Sequence, residues 1–335
     1  VLDSTPFYGE SGGQVGDRGK LSAKGLEIEV LDTQKIGNFH LHICNVKKGS
    51  IQLNNKVKAE INVDRRSAIV SNHSATHLMH SALRNILGKH VQQKGSLVRE
   101  DKLRFDFSHK QKLSDVEISK IEKEVNQAIK SSEDTQIIET SIEESQKLGA
   151  IAFFGEKYGD QVRVLKIAGD YSTELCGGTH VKNSSEIRSF KIISETSISS
   201  GVRRIEAISG DYAIKDLAEN KTDLLNTAEI FDVSVEDLPE FLKDKIKLVN
   251  SYNEDLKKIE QKIHQNLLDD MKSSYKSLDK INIILKRIDN LNLSKLRGGL
   301  DGLKKEVSNL IIILVGSMNE KSSILVSVSN DISTT

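Results

Sequence analysis

The first 62 residues alternate between apolar and polar positions in short runs. These runs, which are separated by turn-forming residues, cover 26–31, 39–46 and 57–63. A period of two is typical of strands with one buried face. The pattern therefore predicts a β-rich subdomain over residues 1–62, either a small β-barrel-like unit or a curled sheet.

From residue 64 the period becomes helical, and helices and strands then alternate to residue 210. A helix is predicted over 64–87, and a second over 114–130 begins with a capping box of Ser114 and Glu117. Further strands are predicted at 103–107, 135–140, 161–167, 187–194 and 202–209, with a short helix near 143–148 and a loop at 153–159. The pattern indicates one α+β domain over residues 63–210.

Residues 211–275 show only a helical pattern. Apolar side chains recur at spacings of three and four from Leu242 to Leu267, with lysines between them. We interpret the segment as a helical spacer, a hairpin or coiled coil that pairs 213–231 with the long helix. Periodicity leaves open whether it is a solvated helix packed on a neighbour or a stalk for dimers.

Residues 276–335 follow the order strand, helix, strand, strand. The runs are 281–288, 294–307, 310–316 and 323–329, with a turn predicted at Asn319 and Glu320. The segment is predicted to be a small α/β carboxy-terminal domain. We expect it to be truncated, and the chain, which begins at Val1, to be part of a longer protein.

Composition narrows the function classes only slightly. The chain has 335 residues with 48 basic and 48 acidic side chains, so net charge indicates no partner. Its two cysteines, Cys44 and Cys176, exclude a disulfide framework and predict a reducing, cytoplasmic location, with Cys44 buried in a strand. The longest apolar run, 310–315, is too short to span a membrane, and no signal peptide is visible.

Two distant segments together predict a metal site. His73 and His77 are four residues apart on a predicted helix, so both imidazoles face the same side. The segment from Cys176 to His180 adds a thiolate and a third imidazole across two glycines. A set of three histidines and one cysteine suits one tetrahedral zinc ion. His80 lies near the same helix face and is not counted as a ligand.

The loop from Tyr8 to Gly19 contains five glycines between Gly9 and Gly19. It fits no phosphate-binding loop motif, and no helix pattern follows it. One interpretation is a tight hairpin that needs positive φ angles; the other is a loop whose bare backbone lets a ligand approach. In the second case Gln14 and Asp17 are the polar side chains that would bind it.

A locally basic stretch follows the first helix. It contains Lys89, Lys94, Arg99, Lys102 and Arg104 against only two acidic residues. A solvated face and a contact with nucleic-acid phosphates are both consistent with this pattern.

Three stretches together resemble the editing domain of bacterial alanyl-tRNA synthetases. They are residues 5–19, the segment of His73 and His77 with 93–96 after it, and residues 172–180 leading into 201–207. The resemblance implies a deacylase that hydrolyses tRNA(Ala) charged with serine or glycine. It places Thr76, Gln93 and Cys176 at the catalytic centre and Ser96 among substrate-binding residues, while ATP and magnesium serve only an aminoacylation core absent from this chain.

Residues 281–329 are similar to the carboxy-terminal domain of the same family, although the glycine-rich segment expected after the last strand is missing. The resemblance implies tRNA binding and a possible homodimer through this region. Two alternatives to a synthetase fragment stay open: a freestanding trans-editing deacylase, and a noncatalytic tRNA-binding module with structural zinc. Four protein ligands favour a closed structural site, whereas a catalytic zinc usually keeps one position for water.

Overall fold

The computed structural model describes residues 1–152, 159–291, 293–318 and 321–332. The predicted turn at Asn319 and Glu320, and the predicted loop except Gly159, lie outside these ranges. Two compact units are present, Val1–Leu224 and Leu225–Thr335. In the described ranges, no helix combines the length and apolarity needed to cross a membrane.

The first unit begins with an antiparallel sheet whose strand order is β3-β2-β1-β4. Its strands are β1 (Gly19–Ala23), β2 (Leu26–Ile36), β3 (Phe39–Lys48) and β4 (Lys58–Ile61). Phe7, Leu21 and Ile28 are buried against one face of this sheet. Cys44 is exposed, contrary to the prediction, because β3 is an edge strand whose side chains are mostly in solvent.

Helix α1 (Val63–Leu87) is the centre of this unit. Asn62 caps it, since its side chain accepts a hydrogen bond from the backbone N–H of Arg65 at 3.0 Å, and Gly88 ends it with a φ of 115°. Every residue from 71 to 83 is buried, including eight polar ones. The polar groups of this helix must therefore find partners inside the protein.

Around α1 lie two further sheets and two helices, which include the predicted strands and two strands that were not predicted, Gln93–Val98 and Ser172–Leu175. The elements are β5 (Gln93–Val98), β6 (Leu103–Ser108), α2 (Asp115–Lys130), β7 (Gln136–Ser141), α3 (Ile142–Lys147), β8 (Gln161–Ile167), β9 (Ser172–Leu175), β10 (Phe190–Ser199) and β11 (Val202–Ser209). One sheet has the order β10-β11-β6-β5 and the other β7-β8-β9. The capping box at Ser114 is confirmed. The strand predicted from 187 begins only at Phe190, because Ser184–Ile187 forms a 3₁₀ turn.

Helix α4 (Gly210–Ile230) continues from β11, and α5 (Leu238–Ser273) belongs to the second unit. Both helices are confirmed, whereas their pairing as a hairpin stays a prediction. The apolar residues Ile246, Val249 and Leu256 of α5 are each more than half exposed.

The second unit ends in a four-stranded sheet of order β12-β13-β14-β15. Its elements are β12 (Lys276–Leu278), β13 (Ile281–Arg287), α6 (Arg297–Glu306), β14 (Leu310–Met318) and β15 (Lys321–Val328). Strands β13 and β14 are parallel, so a crossover through α6 joins them. The predicted strand and helix order is confirmed, and β12 is an additional edge strand.

Candidate metal centre

The structure brings the two predicted half-motifs together. His73 and His77 lie on α1, while Cys176 and His180 lie in the loop after β9. One ligand atom from each of these four residues lies within 4.8 Å of the other three. The Cys176 Sγ atom is 3.6 Å from His73 Nε2 and 3.2 Å from His180 Nε2. Tetrahedral zinc with bonds of about 2.0–2.3 Å places its ligand atoms roughly 3.3–3.8 Å apart, so this set fits zinc.

A polar group orients each of the three imidazoles through its Nδ1 atom. His73 Nδ1 lies 2.8 Å from Gln14 Oε1, and His180 Nδ1 lies 3.2 Å from Ser74 Oγ. His77 Nδ1 bonds the carboxylate of Glu174. Partners at Nδ1 fix the tautomer in which Nε2 carries the lone pair, which is the form that binds a metal.

Glu174 is a residue of the candidate site that the sequence analysis missed. It is 1% exposed, and its second oxygen accepts from His80 Nδ1 at 2.7 Å. His80 is therefore bound to this carboxylate and is not in the ligand set, as expected. The sequence contains one signal for this residue, because it is an acid two positions before Cys176. Residues two positions apart on a strand share a face.

The electrostatics favour a cation at the centre. Burial raises the pKa of Cys176, but His73, His77 and His180 lower it more, to well below its usual range. Burial also raises the pKa of Glu174, and His77 with His80 lower it more, to about 2. Burial lowers the pKa of His77, yet Glu174 and Cys176 raise it to about 10. Without a metal, a protonated His77 offsets part of the negative charge of Cys176 and Glu174. A divalent cation could take that role once His77 is neutral and acts as a ligand.

The two glycines after Cys176 have different roles. A Cβ atom on Gly178 would lie 2.2 Å from His73 Cε1, whereas a Cβ on Gly177 would meet nothing within 4 Å. The turn is held by Arg163, whose guanidinium donates to the Gly178 carbonyl at 2.6 Å. Gly178 is therefore needed so that the loop can approach the helix that carries His73.

One cavity of about 660 Å³ lies beside His73 and His77, and it is also lined by Thr76, Gln93, Ser96 and Cys176. The Thr76 hydroxyl donates to the backbone carbonyl of Asn72 at 2.8 Å. The structure thus places three predicted catalytic and substrate-binding residues beside the candidate metal ligands, of which Cys176 is one.

Gln14 and Asp17 do not line this cavity. Gln14 is fully buried behind His73, and its Oε1 also accepts from the backbone N–H of Thr179 at 3.0 Å. Asp17 is buried, accepts from the backbone N–H of Tyr8 at 2.7 Å and pairs with Arg66. Gln14 therefore orients a candidate metal ligand, and Asp17 fixes the glycine-rich loop.

The glycine-rich loop contains a tight turn and also borders the cavity. Gly12 and Gly13 have φ angles of 55° and 82° between the paired residues Ser11 and Gln14, so a tight hairpin turn is present. Gly9 and Gly12 also line the cavity.

Two protein-family models match parts of the chain. Residues 162–206, which contain Cys176 and His180, match the model described as threonyl and alanyl tRNA synthetase second additional domain. Residues 1–65 match the model described as tRNA synthetases class II (A). The region predicted as the first part of an editing domain thus matches a class II model.

Curated relatives match nearly the whole chain. An alanine-tRNA ligase of Stenotrophomonas maltophilia is 40% identical over 98% of the chain, and one of Acetivibrio thermocellus is 40% identical over 99%. The chain belongs to the alanine-tRNA ligase family. It covers 37% and 38% of these two relatives, so it spans a little over a third of the length of the ligases it matches.

In this alanine-tRNA ligase segment, the basic stretch after α1 is partly neutralised. Lys102 pairs with Glu206 at 2.8 Å, and Arg104 lies 4.0 Å from Asp106. These two charges are thus used within the fold.

Proposed function

We propose that this segment hydrolyses the ester of tRNA(Ala) that carries serine or glycine. The main support is that the four metal-ligand atoms lie beside a cavity lined by Thr76, Gln93 and Ser96. A pocket selective for alanine cannot exclude glycine by size and excludes an added hydroxyl only weakly, so a second, hydrolytic site is required.

The side chains of the cavity have separate roles in this proposal. The Thr76 hydroxyl uses its hydrogen to bind the Asn72 carbonyl, so its oxygen is left to accept from the hydroxyl of a bound serine. The Gln93 amide can donate to the ester and accept from the amino group. Glu174 holds His77, and Gln14 holds His73, in the orientation of ligands. Zinc bound by His73, His77, Cys176 and His180 would supply polarisation and positioning of the ester end and the water.

The remaining proposals concern the whole enzyme. Aminoacylation with ATP and magnesium is proposed for the complete ligase because the matching relatives carry that name. We also propose that the second unit contributes to tRNA binding and to a homodimer. Relatives match both units of this chain, which favours a ligase segment over a freestanding deacylase.

A noncatalytic tRNA-binding module with structural zinc is the second candidate. Three histidines and one cysteine supply all four positions of a tetrahedral zinc, which is the arrangement of a closed structural site. In that case the chain would bind tRNA and leave its ester intact.

The deciding experiment is release of labelled serine and labelled alanine from the two charged forms of tRNA(Ala). We expect the chain to release serine rapidly, to spare the alanyl ester, and to lose activity when zinc is removed or in Cys176→Ala. The matched control is Cys44→Ala, which removes the exposed cysteine. No serine release from a folded, zinc-loaded chain would favour the binding module.

A further inference from the structure

Two basic side chains stand opposite each other at the wall of the cavity that holds the metal ligands. Lys35 on β2 and His40 on β3 are cross-strand partners in the register of the hairpin. Side chains of directly opposed residues lie on the same face of a sheet. Both line the cavity together with His73, His77 and Cys176.

The described lining of this cavity contains no aspartate or glutamate. Apart from the candidate metal ligands, its charged side chains are Lys35 and Arg163, with His40 as a further donor. The Arg163 guanidinium already donates to the Cys176 and Gly178 carbonyls. In the described part of the chain Lys35 forms no ion pair, so its ammonium group is available to a ligand.

Two acids of the neighbouring segments accept from a neutral side chain. Glu10 and Asp32 both accept from the Gln34 side-chain amide, at 2.9 and 2.6 Å. Neither acid lines the cavity, whose charged side chains other than the candidate metal ligands are positive, and this favours an anionic ligand.

The pair is also held in place by the glycine-rich loop. A Cβ atom on Gly9 would lie 2.9 Å from His40 Cδ2 and 3.1 Å from Lys35 Cβ. The bare backbone of the loop thus packs directly on both side chains. Lys35 and His40 are therefore packed into one side of the cavity, although Lys35 itself is exposed.

We propose that Lys35 and His40 bind a phosphate oxygen of the single-stranded RNA end whose ribose carries the ester. This inference rests on the proposed function, because it assigns the phosphate next to the ester hydrolysed at the metal centre. A lysine ammonium and an imidazole N–H both donate to phosphate oxygens, and such contacts position a nucleic acid without reading its sequence. The hairpin therefore fixes the RNA end while the cavity receives the aminoacyl group.

The test compares two serine esters with the zinc-loaded chain. One is seryl-tRNA; the other is an adenosine 3′-serine ester, which has no phosphate. We expect Lys35→Ala to lower kcat/KM for seryl-tRNA about tenfold, the effect of one lost charge-assisted hydrogen bond, and to leave the nucleoside ester unchanged. Lys35→Arg, which keeps the charge, should retain most activity on both.

The matched control is Lys48→Ala. Lys48 lies at the other end of the same hairpin, opposite Glu27 and outside the cavity lining, and its loss changes net charge equally. An equal loss on both esters, or no loss on seryl-tRNA, would overturn the proposal.

A binding assay separates this proposal from the proposed function. If the unsubstituted chain hydrolyses neither ester, the proposed function fails. The phosphate site is then tested by the binding of a fluorescein-labelled single-stranded RNA ending in CCA, measured by fluorescence anisotropy. We then expect Lys35→Ala to reduce the slope of log affinity against log salt by about 0.7, as for one phosphate contact on a single strand. A slope equal to that of Lys48→Ala would reject the site.

Discussion

Gly178→Ala tests whether the metal centre depends on close approach of the loop to α1. The new methyl group would lie 2.2 Å from His73 Cε1 and 2.6 Å from His73 Nδ1. Ordinary contacts begin near 3.4 Å, so ring and loop must separate by more than roughly 1 Å. Metal-ligand distances tolerate only about 0.2 Å, and His73 should therefore be lost as a ligand.

We expect Gly178→Ala to lower zinc affinity more than the loss of an orienting group alone would. Removal of a group that orients a metal-bound histidine typically costs 10- to 100-fold in affinity. Here the methyl group also competes with the bond between His73 and Gln14, since its distance to Gln14 Oε1 would be 3.0 Å. We expect zinc affinity to fall at least about 100-fold, or about 2.7 kcal/mol.

Competition with a chromophoric chelator measures this affinity, and circular dichroism checks that the fold is retained. Gly177→Ala is the matched control, because its Cβ meets nothing within 4 Å and its φ is not positive. We expect the control to bind zinc as the unsubstituted chain does. Equal zinc affinities for the two variants would refute the steric argument.

Glu174→Gln should lower zinc affinity about 10- to 100-fold in the same competition assay. Glu174 accepts from His77 and His80 with separate oxygens, and in glutamine one of these oxygens is replaced by an NH2 donor. Unchanged affinity would contradict the role of Glu174. Since the pKa of Glu174 is lowered to about 2 from 4.5, its stabilising effect is full above about pH 4.5 and is lost as pH falls towards 2. Urea unfolding of the metal-free chain should therefore show a gap between this variant and the unsubstituted chain that shrinks below pH 4.5; a gap that widens on acidification would oppose the assignment. Ser114→Ala should cost about 1 kcal/mol through loss of the α2 cap, measured by thermal unfolding. Ile121→Ala, at a fully buried position of α2, should cost about 2–5 kcal/mol, whereas Val116→Ala, at an exposed position of that helix, should change stability by less than about 0.5 kcal/mol.

The elements that the sequence predicted well are those with local signals. Helix α2 has both a regular apolar period and a capping box, and each was confirmed. Helix α1 was also predicted within one or two residues, although its buried polar residues leave little amphipathic contrast. The four candidate ligands could be predicted to lie together because the residue types and the spacing of each half-motif are themselves chemical requirements.

The parts that were missed depend on tertiary contacts. Glu174 acquires its role only because β9 places it beside His77 and His80, more than 90 residues away in the chain. Asp17 was predicted to bind substrate, but its partner Arg66 is 49 residues distant and no local pattern indicates that pair. Cys44 was misplaced because an edge strand has the same alternation as a half-buried one.

The separation of the two half-motifs along the chain has a consequence for folding. His73 and Cys176 are 103 positions apart, so a metal that joins them closes a long loop and acts as a reversible cross-link. Closing a loop of this length costs chain entropy, and contacts that form early in folding do not offset that cost. We therefore expect the metal centre to assemble late on the folding pathway. The folded population would then depend on free zinc by mass action, which makes the stability of the first unit a function of metal supply.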